Sequence, residues 1–393
     1  MTPDSRPVLV TGGAGFIGCN IADALAGRGH EVLVYDALSR PGVERNLAWL
    51  KERHGERISS IVADIRDEDM LARAAREAKA VFHMAAQVAV TTSLTDPRED
   101  FDINVRGTLH LLDALRLKGD GTPLVFASTN KVYGDLADLE FRLDGDKYVA
   151  VDPEVAASGI GESRPLDFHT PYGCSKGAAD QYVLDYARSF GLRAAVVRMS
   201  CIYGLRQMGT EDQGWVAHFL IRALEGQPIT LYGDGHQVRD ILDVSNAVEA
   251  YLKAWERIDA VKGRAFNLGG GPANAVSLRE LLAHIAGLLG RELDVRFADW
   301  RAGDQRYFVA DTRAIGQALG LSPAVPWKQG VARLAEWLRE SRNLPSLPSP
   351  EGRGRGRVAS EASPEAAATG ARSGVEPDRS QPTPSPSLAG REA

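Results

Sequence analysis

The sequence predicts an α/β protein: a doubly wound parallel sheet followed by a smaller, mixed α/β lobe. Three observations carry this prediction. Over residues 1–200, short apolar runs ending in turn residues alternate with helical patterns. A glycine-rich turn joins the first run to the first helix, and beyond residue 200 the segments become shorter and more mixed.

Residues 7–13, Pro-Val-Leu-Val-Thr-Gly-Gly, are apolar and end in glycines, as a buried parallel strand running into a turn does. Gly12, Gly15 and Gly18 lie three residues apart, and Ala22, Leu25 and Gly29 continue and close a helix. Glycine lets the backbone turn tightly and approach a diphosphate, while the helix start offers free N–H groups and a positive dipole end. The second strand, Glu31-Val-Leu-Val-Tyr-Asp36, ends in a carboxylate 18 residues beyond Gly18. A carboxylate there accepts hydrogen bonds from an adenosine ribose and repels a 2′-phosphate, which favours NAD; Arg40 nearby leaves NADP open. The alternation then continues with a strand over Ile58 to Ile65, a helix over 67–78, a strand over Ala80 to Ala86, a long helix over 99–118, and strands over Pro123 to Thr129 and Leu192 to Ser200.

In such a Rossmann-type sheet, right-handed crossovers leave ligands at the carboxyl ends of the strands. The expected NAD contacts on that rim are Gly12, Gly15, Phe16, Ile17, Gly18, Asp36, Asp64, Ile65, Ala85, Gln87 and Ser128. Thr129 and Asn130 follow at the end of the fifth strand, on the substrate side of the same rim. From Lys131 to Asp167 the periodicity breaks into a polar segment rich in Asp, Glu and Gly, which we read as a loop covering the substrate, 131–169 in all.

The helix after that loop carries the chemistry. His169-Thr-Pro-Tyr-Gly-Cys-Ser-Lys176 sets Tyr172 and Lys176 four residues apart, which on a helix means one face and about 5–6 Å between Cβ atoms. Thr170 is placed to cap the helix and Pro171 to open it, with its end near Phe190. A free tyrosine has a pKa of about 10, and a fixed cation beside it favours the phenolate, a base for proton transfer.

Residues 201–342 read as a second lobe interleaved with the first, with helices near 213–225, 245–258 and 277–289 and a strand at Phe266-Asn267-Leu268. The last helix puts Val331, Leu334, Trp337 and Leu338 on one face and ends near Arg342. Arg206, Arg239 and Arg306 fall in or near loops of this lobe, with Gln207 beside the first; guanidinium groups suit a phosphate-bearing ligand. Residues 343–393 hold eight of the chain's 20 prolines and no aromatic residue, a composition expected to stay disordered.

The 393 residues are 44% hydrophobic, enough for a sizeable core, and a net charge of −6 gives no general case for nucleic acid or an anionic membrane as partner. Neither a secretion signal nor a membrane span is legible, and Cys19, Cys174 and Cys201 fit neither a disulfide framework nor a zinc site. The expectation is a cytoplasmic protein with small-molecule ligands and no metal.

Together, Gly12, Gly15, Gly18, Thr129 and the Tyr172/Lys176 pair resemble the extended short-chain dehydrogenase/reductases, and within them the NAD-dependent nucleotide-sugar epimerases and dehydratases, from residue 7 to about 340. Longer stretches, Ser128-Thr-Asn-Lys-Val-Tyr-Gly-Asp135, Asp167 to Tyr182, Asp212-Gln-Gly-Trp-Val216 and Asp304-Gln-Arg306, are similar to the branch that inverts C2 of a CDP-hexose. The resemblance implies that Tyr172 takes a proton from a sugar hydroxyl while hydride passes to NAD, that Lys176 lowers the tyrosine pKa and holds the nicotinamide ribose, and that Thr129 bonds the reacting oxygen. It also implies that Asn104 supports this region, that Arg239 and Arg306 meet the nucleotide, and that helices 99–118 and 171–190 build a homodimer or homotetramer. The family carries a histidine where this chain has Met199 and a hydroxyl where it has Cys201, and residues 144–163 differ too, so the sugar is left open. Inversion at C4 uses the same tyrosine; a 4,6-dehydratase needs carboxylates where Asn130 and Lys131 stand; a non-catalytic NAD-binding scaffold is the remaining alternative.

Overall fold

Val8–Thr11 form the central strand, β1, of the computed structural model, which describes residues 4–301, 303–344 and 347. Beside it run β2 (Val32–Asp36) and β3 (Ile58–Val62) in one direction, β4 (Ala80–His83) and β5 (Leu124–Thr129) in the other. Beyond β5 lie β8 (Ala194–Met199) and β12 (Ala265–Leu268), and every pairing among these seven strands is parallel. The order β12-β8-β5-β4-β1-β2-β3 reverses direction between β1 and β4, which opens a crevice above the carboxyl ends of those two strands.

Successive side chains on a strand point to opposite faces, so an apolar strand covered on both sides needs a helix layer on each. Val8 and Val10 pack with helices Phe16–Gly27, Val43–His54 and Val244–Glu256. Leu9 and Leu33 pack with helices Glu68–Glu77, Gly107–Lys118 and Thr170–Phe190. The seventh strand, β12, arrives from beyond residue 200, so the lobes are interleaved at the sheet edge.

In the smaller lobe, β11 (Val238–Asp243) pairs with β9 (Cys201–Tyr203), β13 (Ala275–Ser277) and β15 (Tyr307–Phe308). A separate parallel pair joins β10 (Ile229–Tyr232) to β14 (Val295–Ala298). Helices Trp215–Leu224, Leu278–Leu289 and Trp327–Ser341 close its core, with Val331, Leu334 and Leu338 buried as the apolar spacing requires.

Several segments differ from the sequence reading, helix Arg313–Leu319 and strands β10, β14 and β15 among those it did not give. Residues 131–169 are not a structureless loop: they hold a hairpin, β6 (Phe141–Asp144) with β7 (Lys147–Ala150), and a helix, Pro153–Ser158, capped by the Asp152 carboxylate. Gly145, at φ 59°, permits the two-residue turn between the strands. The hairpin docks on the smaller lobe, Phe141 against Tyr307 with ring centroids 5.4 Å apart and Tyr148 N donating to the His236 carbonyl at 3.0 Å. The expected helix 99–118 is broken into Pro97–Phe101, a π-helical turn over Asp102–Arg106, and Gly107–Lys118. Helix Val43–His54 had no counterpart in the sequence reading. The disorder expected over 343–393 falls outside the described residues except at 343, 344 and 347.

One buried ion pair ties the Thr170–Phe190 helix to the sheet. Asp180 accepts from Arg198 on β8 at 2.9 Å through both carboxylate oxygens, and from the Ser128 hydroxyl at 2.7 Å. Arg198 also donates to the Tyr133 hydroxyl at 3.0 Å, which donates in turn to Asn267 on β12 at 2.8 Å. Removing one partner of such a pair leaves an uncompensated buried charge. Arg198→Met should therefore lower unfolding free energy by about 3–5 kcal/mol, read as a drop in the urea midpoint; an unchanged midpoint would show that Asp180 finds another partner.

Candidate active site

The turn after β1 is a cradle only glycine can form. Gly12 has φ 66°, and a Cβ on it would stand 2.7 Å from the Ala85 backbone nitrogen at the end of β4. A Cβ on Gly18 would lie well inside contact distance of the Gly12 carbonyl oxygen. Gly15 precedes the helix, whose first residues, Phe16, Ile17 and Gly18, carry N–H groups without intrahelical acceptors, and whose first turn holds no acidic side chain. A narrow backbone cradle at a switch point, opening on a positive helix end, fits the diphosphate of NAD.

Asp36 closes β2 beside this turn, accepting from Ala14 N at 3.0 Å and Leu38 N at 2.9 Å. Asp64 is clamped by Arg66 at 2.7 and 2.9 Å, and that guanidinium holds its carboxyl below the usual range. Ile65 is buried against Gly107. Gln87 donates its backbone N–H to Asn104 Oδ1 at 2.9 Å, and Asn104 Nδ2 donates to the Gln87 carbonyl and to Ser175 Oγ, each at 3.0 Å. The π-helical turn aims Asn104 at these partners.

Tyr172, Lys176 and Asp180 follow at four-residue intervals on one helix face, all three buried. Thr129 lies beside the Tyr172 hydroxyl and favours its ionised form, the Tyr172 backbone N–H donates to Ser93 Oγ at 3.1 Å, and the Lys176 ammonium lies 4.4 Å from the centroid of the Phe126 ring. Thr170 opens the helix at φ 62°, rare for a β-branched residue, with its hydroxyl accepting from Gly173 N at 3.3 Å. Burial sets the titration here. It pushes Tyr172 up to about 12, against the lowering influence of Thr129, and Lys176 down to about 8. Asp100, a buried carboxylate bonded to Gln87 and Asn104, raises both and is itself raised by burial. Burial is the largest influence on Tyr172, and Asp100, the one charge that moves its pKa, raises it further.

The second half of the site comes from the smaller lobe. Arg239 on β11 is buried and paired with Asp304 at 2.6 Å. Asn130 donates to Gln305 at 3.3 Å, and Lys131 to the Gly303 carbonyl at 3.0 Å. Gln207 is buried and donates to the Ile202 carbonyl at 3.3 Å. Arg306 is exposed, its guanidinium 5.9 Å from the ring centroids of both Tyr148 and Trp300. Ser128, expected at the cofactor, directs its hydroxyl to Asp180. Asp100, Lys131, Ser175, Asp304 and Gln305 were missed. The one signal in the sequence for Asp100 is its place one helical turn before Asn104.

A glycine cradle, a strand-end hydroxyl and a buried Tyr/Lys pair define a class: enzymes that move a proton and a hydride at a hydroxyl-bearing carbon with a dinucleotide. The chain belongs to the NAD dependent epimerase/dehydratase family, whose model matches residues 8–269. It is 42% identical over 339 residues to the CDP-paratose 2-epimerase of Salmonella typhi, covering 84% of this chain and 98% of that protein. The structure of the Thermus thermophilus UDP-glucose 4-epimerase in complex with NAD matches with TM-score 0.71 at 33% identity, over 85% of this chain and 99% of that one. The dTDP-glucose 4,6-dehydratase of Streptomyces venezuelae, with NAD and TYD bound, gives 0.74 at 30%, over 86% and 98%. NAD as cofactor and nucleotide-sugar epimerisation as activity stand on these matches.

Beside Arg239, Asp240 is fully buried, accepting from the Ser200 hydroxyl and from Gly271 N at 3.1 Å. Burial raises its pKa from 3.8 to about 6. A raised folded-state pKa favours the protonated form, so the contribution to stability is full below pH ~4, and about 3 kcal/mol is lost as pH rises through 6. Asp240→Asn, neutral throughout, should flatten the stability curve measured by urea unfolding between pH 4 and 7; an unaltered slope would locate its source elsewhere.

Proposed function

We propose that the protein inverts C2 of a CDP-linked hexose through a transient 2-keto sugar. The observation that carries this reading is the 42% identity, over nearly the whole of the relative's length, to a CDP-paratose 2-epimerase, joined to a Thr129–Tyr172–Lys176 constellation able to do the chemistry. Tyr172 takes the proton from the C2 hydroxyl and returns it after inversion, and Thr129 holds that oxygen. NAD, when bound in the glycine cradle, supplies the hydride acceptor and donor, and the cycle leaves no net redox change. With burial holding Tyr172 near 12, the phenolate at neutral pH needs about 7 kcal/mol of favourable interaction, which Lys176 supplies in part. Asn104 steadies Gln87 and Ser175 around this pair, Asp36 and Asp64 face the adenosine side, and Arg239, Gln207 and Arg306 serve the nucleotide end. Elimination is disfavoured because Asn130 and Lys131 offer no carboxylate; inversion at C4 is the rival chemistry.

The panel test is direct: CDP-, UDP- and dTDP-hexoses are incubated without added cofactor and the products read by NMR. We expect inversion at C2 of a CDP-sugar, bound NAD in the purified protein, and a loss of turnover by orders of magnitude in Tyr172→Phe with NAD retained. Inversion at C4 with C2 untouched would overturn the reading.

We also propose a homodimer, extendable to a tetramer, through the helices that flank the site. Phe101 is 53% exposed, Leu117 75% and Phe190 52%, an apolar surface across adjacent helices. Phe101→Glu should shift the species seen by sedimentation toward monomer; a monomeric wild type would dispose of the proposal. The three cysteines are free thiols, in keeping with a reducing, cytoplasmic setting.

A further inference from the structure

Lys131 is a cation that the chemistry described above does not use. It follows Thr129 by two residues, and its backbone N–H donates to Thr129 Oγ1 at 3.2 Å, so its position is fixed relative to the reacting centre. Its half-buried side chain runs toward the smaller lobe, where Nζ donates to the Gly303 carbonyl at 3.0 Å. Gly303 has φ 70°, and a Cβ on it would stand 2.5 Å from Thr170 Cγ2, at the strained start of the Tyr172 helix. The next residue, Asp304, holds Arg239. The ammonium therefore lies in the strip between the Thr129–Tyr172 end of the site and the Arg239–Asp304 end.

Among the described residues Arg239 is neutralised by Asp304, whereas Lys131 has no carboxylate within ion-pair distance. An ammonium has three donors, and one is committed to Gly303. The charged and titratable groups facing it are Arg239, Asp304, Cys201 and Asp135; burial, then Arg239, brings its pKa down to about 8. A partly desolvated, unpaired cation with two unspent donors costs stability in the free protein and is offset by an anionic ligand.

The hexose supplies that anion at a definite place. Its diphosphate hangs from C1, the carbon next to C2, whereas C4 lies across the ring. An enzyme that presents C2 to Tyr172 must bring the sugar-linked phosphate close to the tyrosine as well. We propose that Lys131 takes the sugar-linked phosphate and so selects C2 as the reacting carbon. The assignment rests on the C2 reading above, and deepens it.

The test compares nucleotides that differ by that one phosphate. Dissociation constants for CMP and CDP are measured by calorimetry on wild type, Lys131→Gln and Lys131→Arg. Gln keeps a donor for Gly303 and removes the charge. We expect CDP binding to weaken about 10- to 100-fold in Lys131→Gln while CMP binding stays the same, the loss of a charge-assisted hydrogen bond to one phosphate. Lys131→Arg should recover most of the preference for CDP, and kcat/KM for C2 inversion should fall in Lys131→Gln with bound NAD unchanged. Equal weakening of CMP and CDP, the mark of a structural role, would overturn the assignment, as would an unchanged ratio. A wild type that binds neither nucleotide overturns the CDP-sugar reading together with it, so the two failures are told apart in the wild-type arm.

Discussion

The Asp180–Arg198 pair is the constraint on which the site's geometry depends. It joins the Thr170–Phe190 helix to β8, and through Ser128, Tyr133 and Asn267 it reaches β5 and β12. Asp180 sits one helical turn beyond Lys176 and two beyond Tyr172, so anchoring it sets the rotation and height of the helix against the strand that ends in Thr129. Apolar packing alone would hold the helix to the sheet but would tolerate sliding. A bidentate pair between a planar guanidinium and a carboxylate does not, because both hydrogen bonds are lost within a small displacement.

Around that anchor the site is built from charges taken out of water. His83 is buried between Thr11 and Thr108, and burial, helped by Lys176, keeps it neutral with a pKa of about 3. Asp100 and Lys176 face each other across the same interior, each favouring the charged form of the other while burial opposes both. In such a medium a change of one neighbouring charge moves a titration much further than it would at the surface. Tyr172 is therefore a weak acid whose ionisation is governed by which charges occupy the cleft, a condition suited to proton transfer that accompanies hydride transfer.

What the sequence made legible follows from periodicity and from backbone necessity. Buried parallel strands such as Val8–Thr11 are short apolar runs, and Gly12, Gly15 and Gly18 are needed for close approach; both are readable without a structure. The Tyr172/Lys176 spacing was readable because a helix face repeats every three to four residues. Residues 141–150 were not, since the hairpin is half-exposed and charged, and it docks on Tyr307 and His236, more than 80 residues away. The π-helical turn at Asn104 escaped for a related reason: it is imposed by bonds to Gln87 and Ser175, from elements that only the fold brings together. Asp100, Lys131 and Asp304 are ordinary charged residues in the sequence, and only burial and their partners single them out.

The division of labour between the two lobes explains how this family hosts several reactions. Thr129, Tyr172 and Lys176 sit on rigid elements of the parallel sheet and its covering helix, and nothing in their geometry distinguishes one sugar carbon from another. The choice of carbon must then come from whatever fixes the ring and its diphosphate against them. On the proposed reading those groups run from Lys131, beyond β5, through Cys201 on β9 and Arg239 on β11 to Gly303, Asp304 and Gln305 beyond β14, and so span both lobes. Loops can change residue by residue without disturbing the Asp180–Arg198 anchor, so specificity can drift while the proton and hydride chemistry stays fixed.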